Sequence, residues 1–296
     1  MDETEKHAIV SRVPTAGLLA IGNELLNGAV RDMNLFTLSQ RLTQMGFSVE
    51  YAVMTRDLPD KIAAALGFIL AHKPDVVLCS GGLGPTEDDL TLAALAQALH
   101  LPLVVNEAAV ELVETHYRRL LEQHYLTHHG PEFARRKMAT LPEGAFPLPN
   151  PVGTAPGVKL DYQGTLIYGL PGVPAELEAI FAATIVPELL QRFPPAGWAE
   201  CALLVHCDDE AEAAIPLHEV ARRHPDVYLK SLAKPFPSAG VEGLRVILTS
   251  QATTEAAAQA AVAAALADLQ RTLENAGLRV SRSVTAPSAH PDNEKW

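Results

Sequence analysis

The sequence predicts an α/β protein: a mostly parallel sheet with helices on both faces, joined to a smaller α+β unit. Three observations predict it. Short apolar runs alternate with segments of helical period through the first half of the chain. Several of these runs end in turns that carry glycine or a carboxylate. Beyond a Pro-rich stretch, 193–197, the order changes to β-α-β-β-α-β. The 296 residues suit one large domain or two modest ones. The expected division is a tail over 1–14, a first domain over 15–196, a second over 197–285, and a tail over 286–296.

The run 16–21, Ala-Gly-Leu-Leu-Ala-Ile, reads as a buried strand. It ends in a turn, 22–28, that carries Glu24. Asn34 precedes a helix with Leu35, Leu38, Leu42 and Met45 at helical spacing, and Gly46 stops it. Phe47, Val49, Tyr51 and Val53 alternate as a strand that runs into Asp57. Pro59 opens a helix with Ile62, Leu66, Ile69 and Leu70 on its apolar face. The run 75–80, Asp-Val-Val-Leu-Cys-Ser, is short, β-branched and not alternating, and reads as a second buried parallel strand.

The rest of the chain is organised around the loop after this strand, Gly81-Gly82-Leu83-Gly84-Pro85-Thr86-Glu87-Asp88-Asp89-Leu90-Thr91. Three glycines let the backbone turn tightly and approach a ligand. The next helix has Leu92, Leu95, Ala96 and Leu99 on one face. A strand, a glycine loop and a helix start make an anion site. Carboxylates beside such a site make sense if a divalent cation bridges them to a phosphate. The plainer alternative is a helix capped by Thr86 or Asp88, with glycines that merely turn the chain. Ligands of parallel sheets sit at the carboxyl ends of strands, at a topological switch point. Glu24, Asp57, Asp88 and Asp89 all lie just past predicted strand ends, so one rule brings four separated carboxylates to one edge.

Further on, 103–105 is a short strand and 107–123 a polar helix. His124 and His128 have a spacing that grips zinc, but Gly130-Pro131 comes directly after, and surface histidines are the expectation. An irregular loop is expected over 142–157. Residues 158–160 and 165–170 suggest a hairpin or two edge strands. The turn Leu170-Pro171-Gly172-Val173-Pro174 opens a helix over 174–192. In the second half, strands are expected at 201–207, 227–232, 244–250 and 278–284, with helices at 210–223 and 254–275. This suggests a ferredoxin-like or KH-like unit. The Gly240-Val241-Glu242-Gly243 spelling has an acid where a nucleic-acid clamp wants a base, and reads as a turn.

Composition narrows the function. A net charge of −12 argues against a nucleic-acid surface. No apolar run is long enough for a membrane span, and the first residues lack a signal's apolar core, so a cytoplasmic protein is expected. Three scattered cysteines, Cys79, Cys201 and Cys207, fit a reducing compartment.

Four motifs, met in order, resemble one family: Ile21-Gly22-Asn23-Glu24-Leu25-Leu26, the 81–91 loop, Gly153-Thr154-Ala155-Pro156-Gly157, and Leu170-Pro171-Gly172-Val173-Pro174. They resemble the N-terminal part of the CinA (competence/damage-inducible) proteins over about 16–193, a part similar to the molybdopterin-binding fold of MoaB and MogA. The segment after Gly197 is similar in placement to the family's KH-like domain. The C-terminal nicotinamide-nucleotide amidase that many members carry is not expected here. Two positions depart from the family's pattern: Asn23 stands where Thr is common, and Lys137-Met138-Ala139 where Lys-Gln-Ala is common.

The resemblance implies metal-dependent hydrolysis of the pyrophosphate bond of ADP-ribose or a similar dinucleotide, by a homodimer. The expected metal residues are Asp89, helped by Asp88 or Glu24, with magnesium, manganese or cobalt as the ion. Asp89, Asp57 and Lys137 are the expected catalytic residues, with Asp57 as base or second ligand. Gly81, Gly82, Leu83, Gly84, Thr86, Thr91, Asn34, Gly153, Thr154, Pro171 and Gly172 are expected to bind substrate. Two alternatives use the same pocket: molybdopterin binding or adenylation, and a non-catalytic nucleotide scaffold.

Overall fold

A computed structural model describes residues 12–193, 196–232 and 243–282. The chain divides into two compact units at Pro194/Pro195.

In the first unit, β1 (Thr15–Ile21) is followed by a short helix α1 (Asn23–Leu26), α2 (Asn34–Gln44), β2 (Ser48–Thr55), α3 (Pro59–Ala71), β3 (Val76–Ser80) and α4 (Thr91–Ala98). Then come β4 (Leu103–Val105), α5 (Glu107–Glu122), α6 (Glu132–Met138), β5 (Thr140–Pro142), β6 (Phe146–Leu148), β7 (Gly157–Tyr162) and β8 (Thr165–Leu170). The unit closes with α7 (Pro174–Ile180), a π-turn (Phe181–Ile185) and α8 (Val186–Arg192).

The main sheet has the order β2-β1-β3-β8-β7-β6. β1 pairs in parallel with β2 and β3, and β3 in parallel with β8, whereas β7 and β6 are antiparallel additions. The chain steps from β1 to β2 on one side and returns to β3 on the other. The switch point therefore lies between the carboxyl ends of β1 and β3, which is where sheets of this kind bind ligands. Side chains of β1 alternate between two cores. Leu19 and Ile21 pack with Ile62, Leu66 and Ile69 of α3 and with Leu92 and Leu95 of α4. Ala16, Leu18 and Ala20 pack with Leu35, Leu38 and Leu42 of α2 and with Leu177, Ile180 and Leu189. Helices thus cover both faces. Gly17 is needed where α3 crosses β1, since a Cβ there would lie 2.3 Å from Ile69 Cγ2.

Of the two alternatives for 158–170 the hairpin forms, with β7 antiparallel to β8, and β8 lies beside β3 in mid-sheet with all six residues buried. The 142–157 stretch is not wholly irregular, because Phe146–Leu148 adds strand β6 to the antiparallel edge. β4 stays outside the main sheet and pairs with β5. The helix over 174–192 is not continuous. Pro187 lacks an N–H for the preceding turn, and the ladder widens into the π-turn just before it.

The second unit contains β9 (Gly197–His206), α9 (Glu210–Arg223), β10 (Tyr228–Leu232), β11 (Leu244–Ala252), α10 (Glu255–Asn275) and β12 (Arg279–Arg282). Its sheet is antiparallel with the order β10-β11-β9-β12. This is the interleaved split βαβ of a ferredoxin-like unit. A capping box of Asp209 and Glu212 starts α9, and Thr254 caps α10. Residues 240–242 of the Gly-x-x-Gly spelling lie outside the described residues. Among the described residues, no helix is long and apolar enough to cross a membrane.

Candidate active site

The site is built where β1, β2, β3 and β8 end. Gly81, at φ +105°, brings its backbone against β1 so closely that a Cβ would lie 2.2 Å from the Ile21 carbonyl oxygen. Its N–H donates to the Leu170 carbonyl at the end of β8. The Gly81 N–H is therefore committed to the fold and is not free for a phosphate, contrary to expectation. The N–H groups of Gly82, Leu83, Gly84 and Gly172 make no hydrogen bond among the described residues. Gly172 lies directly against Gly81. The main-chain donors of two separate loops therefore adjoin at the switch point, as an anion site requires.

The side chains of three residues expected to bind substrate turn inward and position these loops. Leu83 is 3% exposed and packs in the core beside Gly169. Thr91 is fully buried, and its hydroxyl donates to the Gly81 carbonyl at 2.7 Å. Asn34 is buried, and its amide donates to Ser80 Oγ and to the Gly172 carbonyl, each at 2.8 Å. Asn34 thereby ties α2 to the ends of β3 and β8. Pro171 is also buried. Gly153 and Thr154 line a cleft with α5, beside Glu176 of α7.

The carboxylates gather on the loop side. Asp57 accepts from the Asn23 N–H at 2.6 Å. Burial raises the Asp57 pKa above the usual carboxylate range. The Asn23 bond opposes that rise, and the negative charges of Glu24 and Asp88 add to it. One carboxyl group thus senses acids from two other strand ends. The Thr86 N–H donates to Asp89 Oδ2 at 2.8 Å. Thr86 Oγ1 lies 2.5 Å from Asp88 Oδ1 and 2.6 Å from Asp89 Oδ2. A hydroxyl carries one proton, so it satisfies one of these contacts and leaves the other to a shared proton or a cation. The Thr86 hydroxyl bond holds the Asp88 pKa below the usual range, and Lys137 contributes. Lys137, at the end of α6, donates its ammonium to the Thr86 carbonyl. Neither Thr86 nor Asp88 caps α4, whose N-cap is Leu90 with no side-chain bond. The capped-helix alternative therefore does not describe this turn. Met138 is 1% exposed in the core, so the departure from the Lys-Gln-Ala pattern puts an apolar anchor behind Lys137.

The expected metal set, Asp89 helped by Asp88 or Glu24, calls for two carboxylates. Among the described residues, no three His, Cys, Asp or Glu side chains lie close enough to hold one ion. Glu24 folds back over its own turn, with its carboxylate 2.4 Å from where a Gly22 Cβ would stand. Asp88 and Asp89 remain as a pair. Two carboxylates suit magnesium, which takes its other ligands from phosphate oxygens and water.

Sequence reasoning missed His116 and Arg119 of α5, which line the cleft beside Thr154. Their i, i+3 spacing on an amphipathic helix carries no signal that sets them apart from surface residues.

Comparison with known proteins agrees with the fold of the first unit. The family model described as a probable molybdopterin-binding domain matches residues 17–191. A protein of Pyrobaculum calidifontis is 40% identical over 258 residues, which span 87% of this chain and 95% of that one. A protein of Aeropyrum pernix is 38% identical over 274 residues, 90% of this chain and 97% of the other. Among solved structures, the protein CinA of Thermoplasma acidophilum, described as of unknown function, shares 32% identity at a TM-score of 0.52, covering 59% of this chain and 98% of that one. The chain therefore belongs to the probable molybdopterin-binding domain family, as a CinA-like member.

Proposed function

We propose that this rim binds a phosphate-bearing ligand and hydrolyses the pyrophosphate bond of ADP-ribose or a related dinucleotide. The observation that carries the reading is the Thr86 turn. Two carboxylates share one hydroxyl proton there, beside unbonded main-chain N–H groups and a lysine. Acids next to a phosphate repel it unless a cation lies between them.

Asp88 and Asp89 would hold a divalent cation together with the ligand's phosphate oxygens. The cation supplies charge neutralisation and a more acidic water. The N–H groups of Gly82, Leu83, Gly84 and Gly172 bind non-bridging oxygens, and Lys137 adds positive charge as negative charge grows on phosphorus. Asp57, with its raised pKa, accepts the proton of the attacking water. The new P–O bond forms as the bridging P–O bond breaks, and two phosphate monoesters leave. Incubation of purified protein with ADP-ribose, FAD and NAD, with and without magnesium, manganese or cobalt, tests this. Metal-dependent release of AMP is expected, together with ribose 5-phosphate from ADP-ribose, FMN from FAD or nicotinamide mononucleotide from NAD. Tight binding without hydrolysis under every metal would refute catalysis and favour a nucleotide scaffold.

The family match over 17–191 favours a second reading, binding or adenylation of molybdopterin in the same pocket. Titration with a pterin phosphate against ADP-ribose separates the two.

A further inference from the structure

A second set of donors lies on α5, away from the carboxylates of the Thr86 turn. Leu112, Thr115, His116 and Arg119 of α5 face Thr154 and Pro156 across an open cleft of about 130 Å³. That is below the roughly 300–1,000 Å³ of sites that enclose a whole drug-sized ligand, so the cleft suits a small head group with the rest of the guest in the open. The loop wall is held firmly. Asn150 Oδ1 accepts from the Gly153 N–H at 2.8 Å, and Nδ2 donates to the Ala155 carbonyl at 2.8 Å and to Glu176 at 2.6 Å. Glu176 lies on α7, directly after the Gly172 turn, so the cleft adjoins the same rim.

The cleft's polar groups lack a counterpart. His116 Nε2 is buried and makes no hydrogen bond, although buried side-chain nitrogens in folded proteins almost always have one. Arg119 makes no ion pair among the described residues, and no Asp or Glu lines the cleft. Of the α5 carboxylates nearest in sequence, Glu114 is taken by Arg135, and Glu122 makes no ion pair with Arg119. Burial and the Arg119 charge together hold the His116 pKa below its ordinary value. Glu176, behind the loop wall, is bonded to Asn150, and in a chain of net charge −12 a basic pair with no acid among the lining residues points to an anionic guest.

We propose that the cleft between α5 and the 150–156 loop is a phosphate-monoester subsite, with Arg119 and His116 as its charged and neutral donors and Leu112 and Pro156 as walls for the attached sugar. The choice of a phosphate monoester rests on the proposed function, while the cleft's own residues carry the rest.

Calorimetric titration with ribose 5-phosphate, inorganic phosphate and uncharged ribose tests it, because none of these is turned over. Wild-type protein should bind ribose 5-phosphate, bind inorganic phosphate more weakly, and ignore ribose. Arg119→Met should weaken ribose 5-phosphate roughly ten- to hundred-fold, the range for a lost charged hydrogen bond, and Arg119→Lys less. His116→Gln, which keeps a side-chain donor, should retain more affinity than His116→Ala. Arg119 is exposed, so its variants should melt with the wild type. Unchanged affinity in both Arg119→Met and His116→Ala, or no binding by wild-type protein, overturns the subsite. If ADP-ribose is not hydrolysed yet Arg119→Met still loses ribose 5-phosphate, the proposed reaction fails and the subsite stands.

Discussion

Replacing Asn34 by alanine removes one side chain that holds three parts of the rim together. The amide makes two bonds of 2.8 Å, to Ser80 Oγ and to the Gly172 carbonyl, from a residue only 7% exposed. A net intramolecular hydrogen bond is worth about 1 kcal/mol, and a buried acceptor left unsatisfied costs about 1–3 kcal/mol. Ser80 is itself 3% exposed, so water reaches it poorly. The expected loss is about 3 kcal/mol, which for a unit of this size is roughly 6–12 °C in Tm. Differential scanning calorimetry reads it directly. Asn34→Asp should be worse at neutral pH, because a carboxylate would then face the Gly172 carbonyl. Both variants should also weaken ligand binding, since Gly172 and the end of β3 lose their common tether. A loss below about 0.5 kcal/mol in Asn34→Ala would show that the amide does not organise the rim.

The same Gly→Ala change should act in opposite directions at two positions. Gly81→Ala meets a backbone oxygen at 2.2 Å with φ at +105° and should cost several kcal/mol in urea unfolding; Gly67→Ala in α3 meets nothing within 4 Å and should stabilise by about 0.5–1 kcal/mol. Asp57 has a raised pKa, so the folded chain holds its proton to higher pH than the unfolded chain does. Its contribution to stability is present below the unfolded value and is lost as pH rises through the folded one. Glu24→Gln removes a source of that rise smaller than burial, so the acid limb of the kcat/KM profile should move to lower pH; an unmoved limb would count against Asp57 as the base. Lys137→Met should lower kcat/KM roughly ten- to hundred-fold by removing a charged donor, and a wild-type value would strip Lys137 of its role.

The parallel core of the first unit is legible in the sequence because its strands are continuous apolar runs bounded by turn residues. β1 and β3 can be read directly, and the end-of-strand rule alone brings Asp57 near Glu24 and Asp88. The position of β8 is harder to read, although Leu166 to Leu170 is as apolar as β3; its hairpin with β7 masks its pairing with β3, a contact some ninety residues away in sequence. β6 is three residues long with a proline at its centre, so no periodicity reveals it. The break at the π-turn does have a signal, Pro187, and the apolar spacing around it hides the interruption. Local pattern also fails for Asn34, Thr91 and Leu83. A polar residue at a helix start or in a glycine loop reads as facing a ligand, and only tertiary packing shows that these three turn inward. The Asp88–Thr86–Asp89 contact depends on angstrom-scale side-chain placement, which spacing alone does not specify.

The central claim is that the acid pair at the Thr86 turn carries a cation to a diphosphate. Hydrolysis of ADP-ribose by Asp89→Asn, in the presence of magnesium and with folding verified by the melting curve, tests it most directly. The account predicts turnover at least about a hundred-fold below wild type, in keeping with the loss of a group that acts on the transition state. A folded Asp89→Asn protein that hydrolysed ADP-ribose at the wild-type rate would contradict it.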